Sequence, residues 1–302
     1  MIYTITTNPA IDYILRFDKF EDGATIRASE DEKYPGGKGI MASKILHNLG
    51  EKPVNLGFVG GFIGEYIANS IRDLGLDEKF VRIKENSRIN VKLKYDKETE
   101  INAKGPKISK EEVEKFFDSL KEIEKGDVIV ISGSLPYSLD SDFYKKVIEK
   151  TEADFTIDIA DKKLLDYLAY KPLLVKPNEE ELGKIFQTEI TDDNLIDYAR
   201  KLNELGAKNV IVSLGAKGSI FVDENYAYRA KPIEGKLVNS VGAGDSMVGG
   251  FVYGMVNKLE KIDAYKLAVA CGTATAFSPV SYTHLTLPTT ARRCRSRWSP
   301  YH

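Results

Sequence analysis

Gly242-Ala243-Gly244-Asp245, inside the stretch 239–251, joins a glycine-rich turn to one carboxylate at the start of an apolar helical pattern. The glycines leave the backbone open to an anion, and the free N–H groups of a first helical turn would point at it. A carboxylate at that hinge can take a proton from a hydroxyl as a phosphoryl group moves onto it. The plain alternative is a tight turn from strand to helix with Asp245 as its cap. Pro35-Gly36-Gly37-Lys38-Gly39 is a second glycine turn before a helix, with Lys38 as a point charge. It is not a Walker A loop, because GxxxxGK[ST] occurs nowhere in the chain. Asp12 follows a strand broken by Pro9, where sheets place ligand groups, although a plain turn Asp reads the same way. Arg88 opens a strand-like stretch and by default is solvated surface.

Those residues need elements to position them. Residues 2–6 alternate as a first strand, and 13–17 and 24–28 are short β-like pieces around Glu21-Asp22-Gly23, which predicts a small hairpin. Residues 80–103 are again strand-like and half polar, so this sheet is wet on one face. Together the segments at about 12–34 and 88–103 form a predicted lid over the glycine turns. From 109 onward the pattern is βα repeated, with helices at 109–124, 140–150, 161–169, 179–187 and 192–205 around strands at 128–131, 155–158, 173–175 and 210–212. Short Val/Ile runs between helices predict a mostly parallel α/β sheet covered on both faces. Ligands in such sheets bind at the carboxyl ends of strands. Those ends carry Ser132-Gly133-Ser134-Leu135-Pro136, Lys176-Pro177-Asn178-Glu179-Glu180-Glu181 and Ser213-Leu214-Gly215-Ala216-Lys217-Gly218. Each alone is also ordinary turn chemistry.

Composition narrows the function classes. The 302 residues, 42% apolar, suffice for a large core in one big domain or two small ones. No apolar run approaches the roughly 18 residues of a membrane span, and the first residues lack a signal-peptide pattern, so a cytoplasmic protein is expected. Cys271 and Cys294 form no CxxC pair and the three histidines are scattered, which indicates neither a disulfide framework nor a zinc site. The formal charge of −2 hides a break. All acidic residues precede 279, whereas 279–302 carries Arg292, Arg293, Arg295, Arg297 and Trp298 without a single Lys. We read 279–302 as a non-native tail joined to a truncated domain of residues 1–278, the alternative being a basic tail that binds nucleic acid. The body is acidic overall and offers no basic patch for nucleic acid.

The turns, in this order and spacing, resemble those of the ribokinase-like (PfkB) carbohydrate kinases, and among them the sugar-phosphate kinases related to 1-phosphofructokinase and tagatose-6-phosphate kinase. The resemblance runs from residue 1 to about 278 and rests on Asn8-Pro9-Ala10-Ile11-Asp12, Gly36-Gly37-Lys38-Gly39, the three strand-end motifs above and Val241-Gly242-Ala243-Gly244-Asp245-Ser246. It implies a ribokinase-like fold with a small β-sheet lid. It also implies transfer of a phosphoryl group from ATP with Mg²⁺, most simply to the 6-hydroxyl of fructose 1-phosphate, with tagatose 6-phosphate and fructose 6-phosphate as alternative acceptors. A non-catalytic sugar-phosphate-binding protein is the alternative of another class.

By this resemblance Asp245 is the base, and Gly242, Ala243 and Gly244 offer N–H groups to the moving phosphoryl. Asp12, Gly37 and Lys38 meet the sugar, and Arg27, Arg88 and Ser134 its existing phosphate. Lys176, Asn178, Ser213, Gly215 and Gly218 face ATP, and Asn178 with Glu181 helps to hold Mg²⁺. A homodimer formed through the lid is a further implication. Two positions depart from the family pattern: Met41 stands where Asn is usual, and Ser138 where Gly is frequent. Met41 shares a helical face with Ile45 and Leu49 and reads as core. The tail also displaces the family's last helix.

Overall fold

A computed structural model describes residues 1–96, 98–238 and 241–278, together with the backbone of Trp298–Tyr301. β1 (Ile2–Thr6) leads into β2 (Ala10–Arg16) and β3 (Glu30–Gly36), and α1 (Lys38–Asn48) returns the chain to β4 (Val54–Gly60). Next come α2 (Gly61–Asp73), the short strands β5 (Asp77–Glu78) and β6 (Val81–Ile83), then β7 (Arg88–Lys94) and β8 (Glu98–Asn102). The predicted alternation follows as α3 (Lys110–Ser119), β9 (Val128–Ser132), α4 (Phe143–Lys150), β10 (Asp154–Asp158), α5 (Leu164–Leu168) and β11 (Leu174–Val175). α6 (Glu179–Phe186) and α7 (Leu195–Glu204) precede β12 (Val210–Ser213), β13 (Ser219–Val222) and β14 (Ala227–Ala230). α8 (Ala243–Val256) and α9 (Lys261–Ala276) pack together, and β15 (Trp298–Tyr301) comes last.

The large sheet runs β15-β14-β13-β12-β11-β10-β9-β1-β4-β5, with β6 also on β4. It is parallel from β12 to β5 and antiparallel from β12 outward to β15. β9 shows why parallel strands read as unbroken apolar runs. Its Ile129 and Ile131 enter the core under α3 to α7, while Val128 and Val130 enter the core under α1, α8 and α9. Both faces are therefore covered by helices, as the alternation implies. The antiparallel strands β13 and β14 were not foreseen from the sequence. The backbone of Trp298–Tyr301 pairs with β14; the rest of the stretch 279–302 lies outside the described residues.

The second sheet has four strands in the order β3-β2-β7-β8. Its hairpin differs from expectation in two ways. The partner of β2 is Glu30–Gly36 and not 24–28, and Asp12 lies within β2, opposite Tyr34 on one side and Asn90 on the other. β3 tolerates Pro35 because it is an edge strand, where a missing N–H breaks no ladder. β2 continues almost directly from β1, so this sheet is tied to the centre of the large one.

One close approach fixes that centre. Gly57 in β4 pairs with Thr6 in β1 at φ 146°, and a Cβ there would lie 1.9 Å from the Thr6 carbonyl oxygen. Gly57→Ala is expected to destabilise the fold by at least about 2 kcal/mol, combining backbone strain with displacement of β1. Urea unfolding measures this, and a midpoint unchanged from wild type would contradict it.

Candidate active site

The carboxyl ends of β1, β9 and β10 meet the second sheet around a cavity of about 950 Å³. A second cavity, about 1190 Å³, lies beyond α8 and is bordered by Gly215, Gly218, Gly235, Met247 and Phe277. Asn178, Ser213 and Gly244 line both cavities, so the two adjoin beside the first turn of α8. Two ligands could therefore meet end to end at that turn.

Gly242 stands at the N-cap of α8 with φ 77°, and no side chain caps the helix. The first-turn N–H groups are thus left for a ligand. Ser246 secures the turn by hydrogen bonding the Gly242 carbonyl with both its N–H (2.9 Å) and its hydroxyl (2.8 Å). The hydroxyl also meets Thr275 Oγ1 at 2.8 Å, which ties α8 to α9. Asp245 is the third helical residue and not the cap, so the tight turn stands but Gly242, and not Asp245, holds the cap position. Asn239 and Ser240 lie outside the described residues.

Asp245 faces a cluster of charge. Burial pushes its carboxyl up to about 6, with Asp158 and Glu181 adding to the effect and Lys38 and Lys176 opposing it. Asp158 ends β10 and is buried, and its Oδ2 lies 3.2 Å from Lys38 Nζ and 3.6 Å from Lys176 Nζ. Burial alone would raise Asp158, but the Lys176 and Lys38 ammonium groups outweigh it and hold the carboxyl below its ordinary range. Burial likewise works against the charge of Lys38, yet Asp158, Asp245 and Glu181 raise it above the ordinary lysine value. Lys176 sits against α8, since a Cβ on Gly244 would come within 3.0 Å of its Nζ.

Asn178 and Glu181 turn out to be a helix capping box. Asn178 Oδ1 accepts from Glu181 N at 2.7 Å, and Glu181 Oε2 accepts from Asn178 N at 2.8 Å. The Asn-x-x-Glu spacing thus builds the start of α6 and at the same time holds Glu181 at the cavity edge. Among the described residues no cluster of three or more His, Cys, Asp or Glu forms a metal cage. Glu181 Oε1 and nearby Asp245 are hard oxygen donors, which suits Mg²⁺, an ion that keeps several waters and relies on substrate phosphates.

In the first cavity Asp12 lies close against Gly36, whose absent side chain leaves it room: a Cβ there would fall 2.5 Å from its carboxylate. Asn90 donates to Asp12 Oδ1 at 3.1 Å, and buried Lys92 lies 3.8 Å from Asp12 Oδ2 and 3.3 Å from Glu100 Oε1. Arg88 reaches across from β7 and donates from Nε to the Asn8 carbonyl (3.1 Å) and from Nη1 to the Ala103 carbonyl (3.0 Å). Gly37 and Ser134 also line this cavity. Arg27 does not: it is exposed in the β2–β3 connection, away from the residues that border either cavity. Met41 is buried, its methyl 2.7 Å from where a Gly242 Cβ would stand, but it belongs to none of the core clusters and lines the first cavity, so it is cavity wall where its helical face suggested core. Gly215 and Gly218 border the second cavity, and Lys176 the first.

Asp158, Asn90 and Lys92 were missed from the sequence. For Asp158 a signal existed, an acid closing a buried apolar strand beside the ends that carry Ser132 and Lys176. Asn90 and Lys92 gave none, because alternate polar residues in a half-exposed strand look like ordinary surface.

Residues 5–287 match the family model for pfkB family carbohydrate kinase. The chain is 45% identical over 284 residues to the 1-phosphofructokinase of Bacillus subtilis, covering 92% of this chain and 93% of that protein. It is 34% identical to the D-tagatose-1-phosphate kinase of Bacillus licheniformis, with 92% and 93% covered. The crystal structure of phosphofructokinase-2 from Escherichia coli with fructose-6-phosphate superposes with a TM-score of 0.88 at 26% identity, over 97% of both chains. Fold and site together define a sugar kinase of ribokinase-like architecture. The chain belongs to the pfkB family of carbohydrate kinases.

The raised Asp245 value has a consequence for stability. A folded-state value above the unfolded one gives stability that is present below the ordinary carboxylate range and lost as pH rises through about 6. At pH 8 wild type therefore carries the cost of a buried charge. Asp245→Asn is expected to melt no lower than wild type at pH 8, with the variant's advantage shrinking as pH falls through about 6 and gone only below about pH 4. A variant several degrees less stable at pH 8 would refute the assigned burial cost.

Proposed function

We propose that this kinase transfers the γ-phosphoryl group of ATP to the 6-hydroxyl of fructose 1-phosphate, giving fructose 1,6-bisphosphate. One observation carries the reading: Asp245 stands on an uncapped helix turn where two cavities adjoin, flanked by two lysines. The first cavity takes the sugar phosphate and the second the nucleotide. The high identity to a 1-phosphofructokinase, and a second relative named for a 1-phosphate, support an acceptor phosphorylated at carbon 1. Tagatose 6-phosphate and fructose 6-phosphate remain the competing acceptors, in line with other relatives.

In this reading Asp12 and Asn90 accept and order the sugar hydroxyls, while Arg88 and Ser134 meet the existing phosphate. Asp245 takes the proton of the attacking hydroxyl. Its value of about 6 leaves it ionised at neutral pH and still basic enough to act. The N–H groups of Gly242, Ala243 and Gly244 with Lys38 and Lys176 offset charge on the transferring group, so positioning and electrostatics do most of the work. Glu181, oriented by its capping box, is the residue we assign to Mg²⁺, which supplies charge neutralisation on the ATP phosphates. Asn178 Oδ1 is engaged by the helix and acts by holding Glu181.

The same reading places the protein in the cytoplasm, where ATP and sugar phosphates are met. We also take the lid as a dimer surface, supported by exposed Phe20, Tyr95 and Ile101 on it. The composition break is what supports reading 279–302 as a non-native tail, although the family match extends to residue 287.

Measuring kcat/KM for fructose 1-phosphate, tagatose 6-phosphate and fructose 6-phosphate tests the acceptor. Fructose 1-phosphate is expected to lead, and Asp245→Asn to lower kcat by at least about 10²-fold with little change in KM. An Asn variant within threefold of wild type, or a different preferred sugar, would refute the assignment. Arg88→Ala is expected to raise the sugar-phosphate KM by roughly 30-fold with the ATP KM within a few-fold, since an unpaired phosphate charge costs about 2 kcal/mol. Arg88 also holds two carbonyls, so a modest fall in melting temperature accompanies the change. Arg88→Lys should recover only part of the loss. Equal losses for both substrates would show that the arginine serves only the lid.

A further inference from the structure

Asp158 is buried behind Lys38 and Lys176, which both line the first cavity. One of its oxygens meets both lysines, at 3.2 Å and 3.6 Å, while Oδ1 is buried with no hydrogen-bond partner. The two cations arrive from different parts of the fold. Lys38 is the first residue of α1 on the sugar side, and Lys176 follows β11 against the turn of α8. The charged groups facing this point are Lys38 from α1, Lys176, Glu181 from α6 and Asp245 from α8. Without Asp158 the two ammonium groups would repel each other from the place where the phosphoryl group passes.

We propose that Asp158 is a positioning residue for phosphoryl transfer, the shared counter-ion that holds Lys38 and Lys176 at the transfer point. It contacts neither substrate and acts through the lysines. The proposal rests on the kinase reading above, and it makes an unusual demand on kinetics. Asp158→Asn keeps the shape but removes a negative charge, so the site becomes more positive and anionic substrates bind as well or better. The lysines are no longer held where the transition state needs them, so the chemical step slows.

The expected signature is a kcat lower by roughly 30-fold or more with both KM values unchanged or reduced. Calorimetric titration with Mg-ADP should show affinity equal to or tighter than wild type. In a Lys38→Met background the same Asp158→Asn change should cost several-fold less, because the two residues work as a unit. If Asp158→Asn alone does not fold, the charge-balanced pair Asp158→Asn with Lys38→Met is compared with Lys38→Met. The proposal is overturned by a kcat within threefold of wild type, by either KM or the Mg-ADP dissociation constant rising more than threefold, or by additive effects in the double variant. A raised Mg²⁺ requirement would instead make Asp158 a metal ligand and also overturn it. Kinetics are run on whichever sugar phosphate wild type uses best. Failure of wild type to phosphorylate any of the three sugars refutes the kinase reading itself, while the Mg-ADP titration still tests the role of the carboxylate.

Discussion

The pairing of one buried carboxylate with two lysines is the constraint on which the site depends. A charge in that position is costly unless it is compensated, so Lys38, Asp158 and Lys176 must be brought together as a set. That requires α1, β10 and the end of β11 to hold a fixed relation, which the parallel sheet supplies. β10 lies between β9 and β11, with Asp158 in register with Ser132, and Gly133 N–H donates to the Asp158 carbonyl at 3.1 Å. The strand ends thus form a rigid floor, and α8 lays its open turn onto it.

Rigidity and adaptability are divided between the two sheets. The floor is clamped by apolar cores on both faces, with the Phe58, Phe116 and Phe143 rings packed on one side and Phe221, Phe251 and Tyr265 on the other. The smaller sheet has few buried apolar residues and stabilises itself through polar pairs such as Asp12 with Asn90 and Lys92 with Glu100. Its join to the floor is anchored from within. Lys44 of α1 is buried and donates to the Pro35 carbonyl at 3.3 Å, and burial holds its ammonium well below the ordinary lysine value. Tyr144 similarly bridges Thr7 Oγ1 at 3.0 Å and the Gly133 carbonyl at 3.1 Å, fixing the turn after β9 to the end of β1.

The sequence alone determined the floor. Apolar runs separated by amphipathic helices dictate a parallel sheet, and glycine turns at strand ends mark where its ligands go, because both signals are local in the chain. For the same reason the Gly242–Asp245 and Gly36–Lys38 turns were legible as glycine turns opening helices, and the fold sets both at the first cavity. Tertiary structure decided what depends on distant residues meeting. The strand paired with β2 is set by register and edge position, so a Pro-containing polar segment won over the more β-like 24–28. The Asn178–Glu181 spacing was legible, but whether its oxygens face a metal or the helix's own N–H groups was not, and the fold commits two of the three to the cap. Arg27 falls away from the cavity because the long β2–β3 connection carries it into solvent. Asp158 and Lys92 gain their meaning only from neighbours far apart in sequence, since a charge is read by what surrounds it and not by its own residue type.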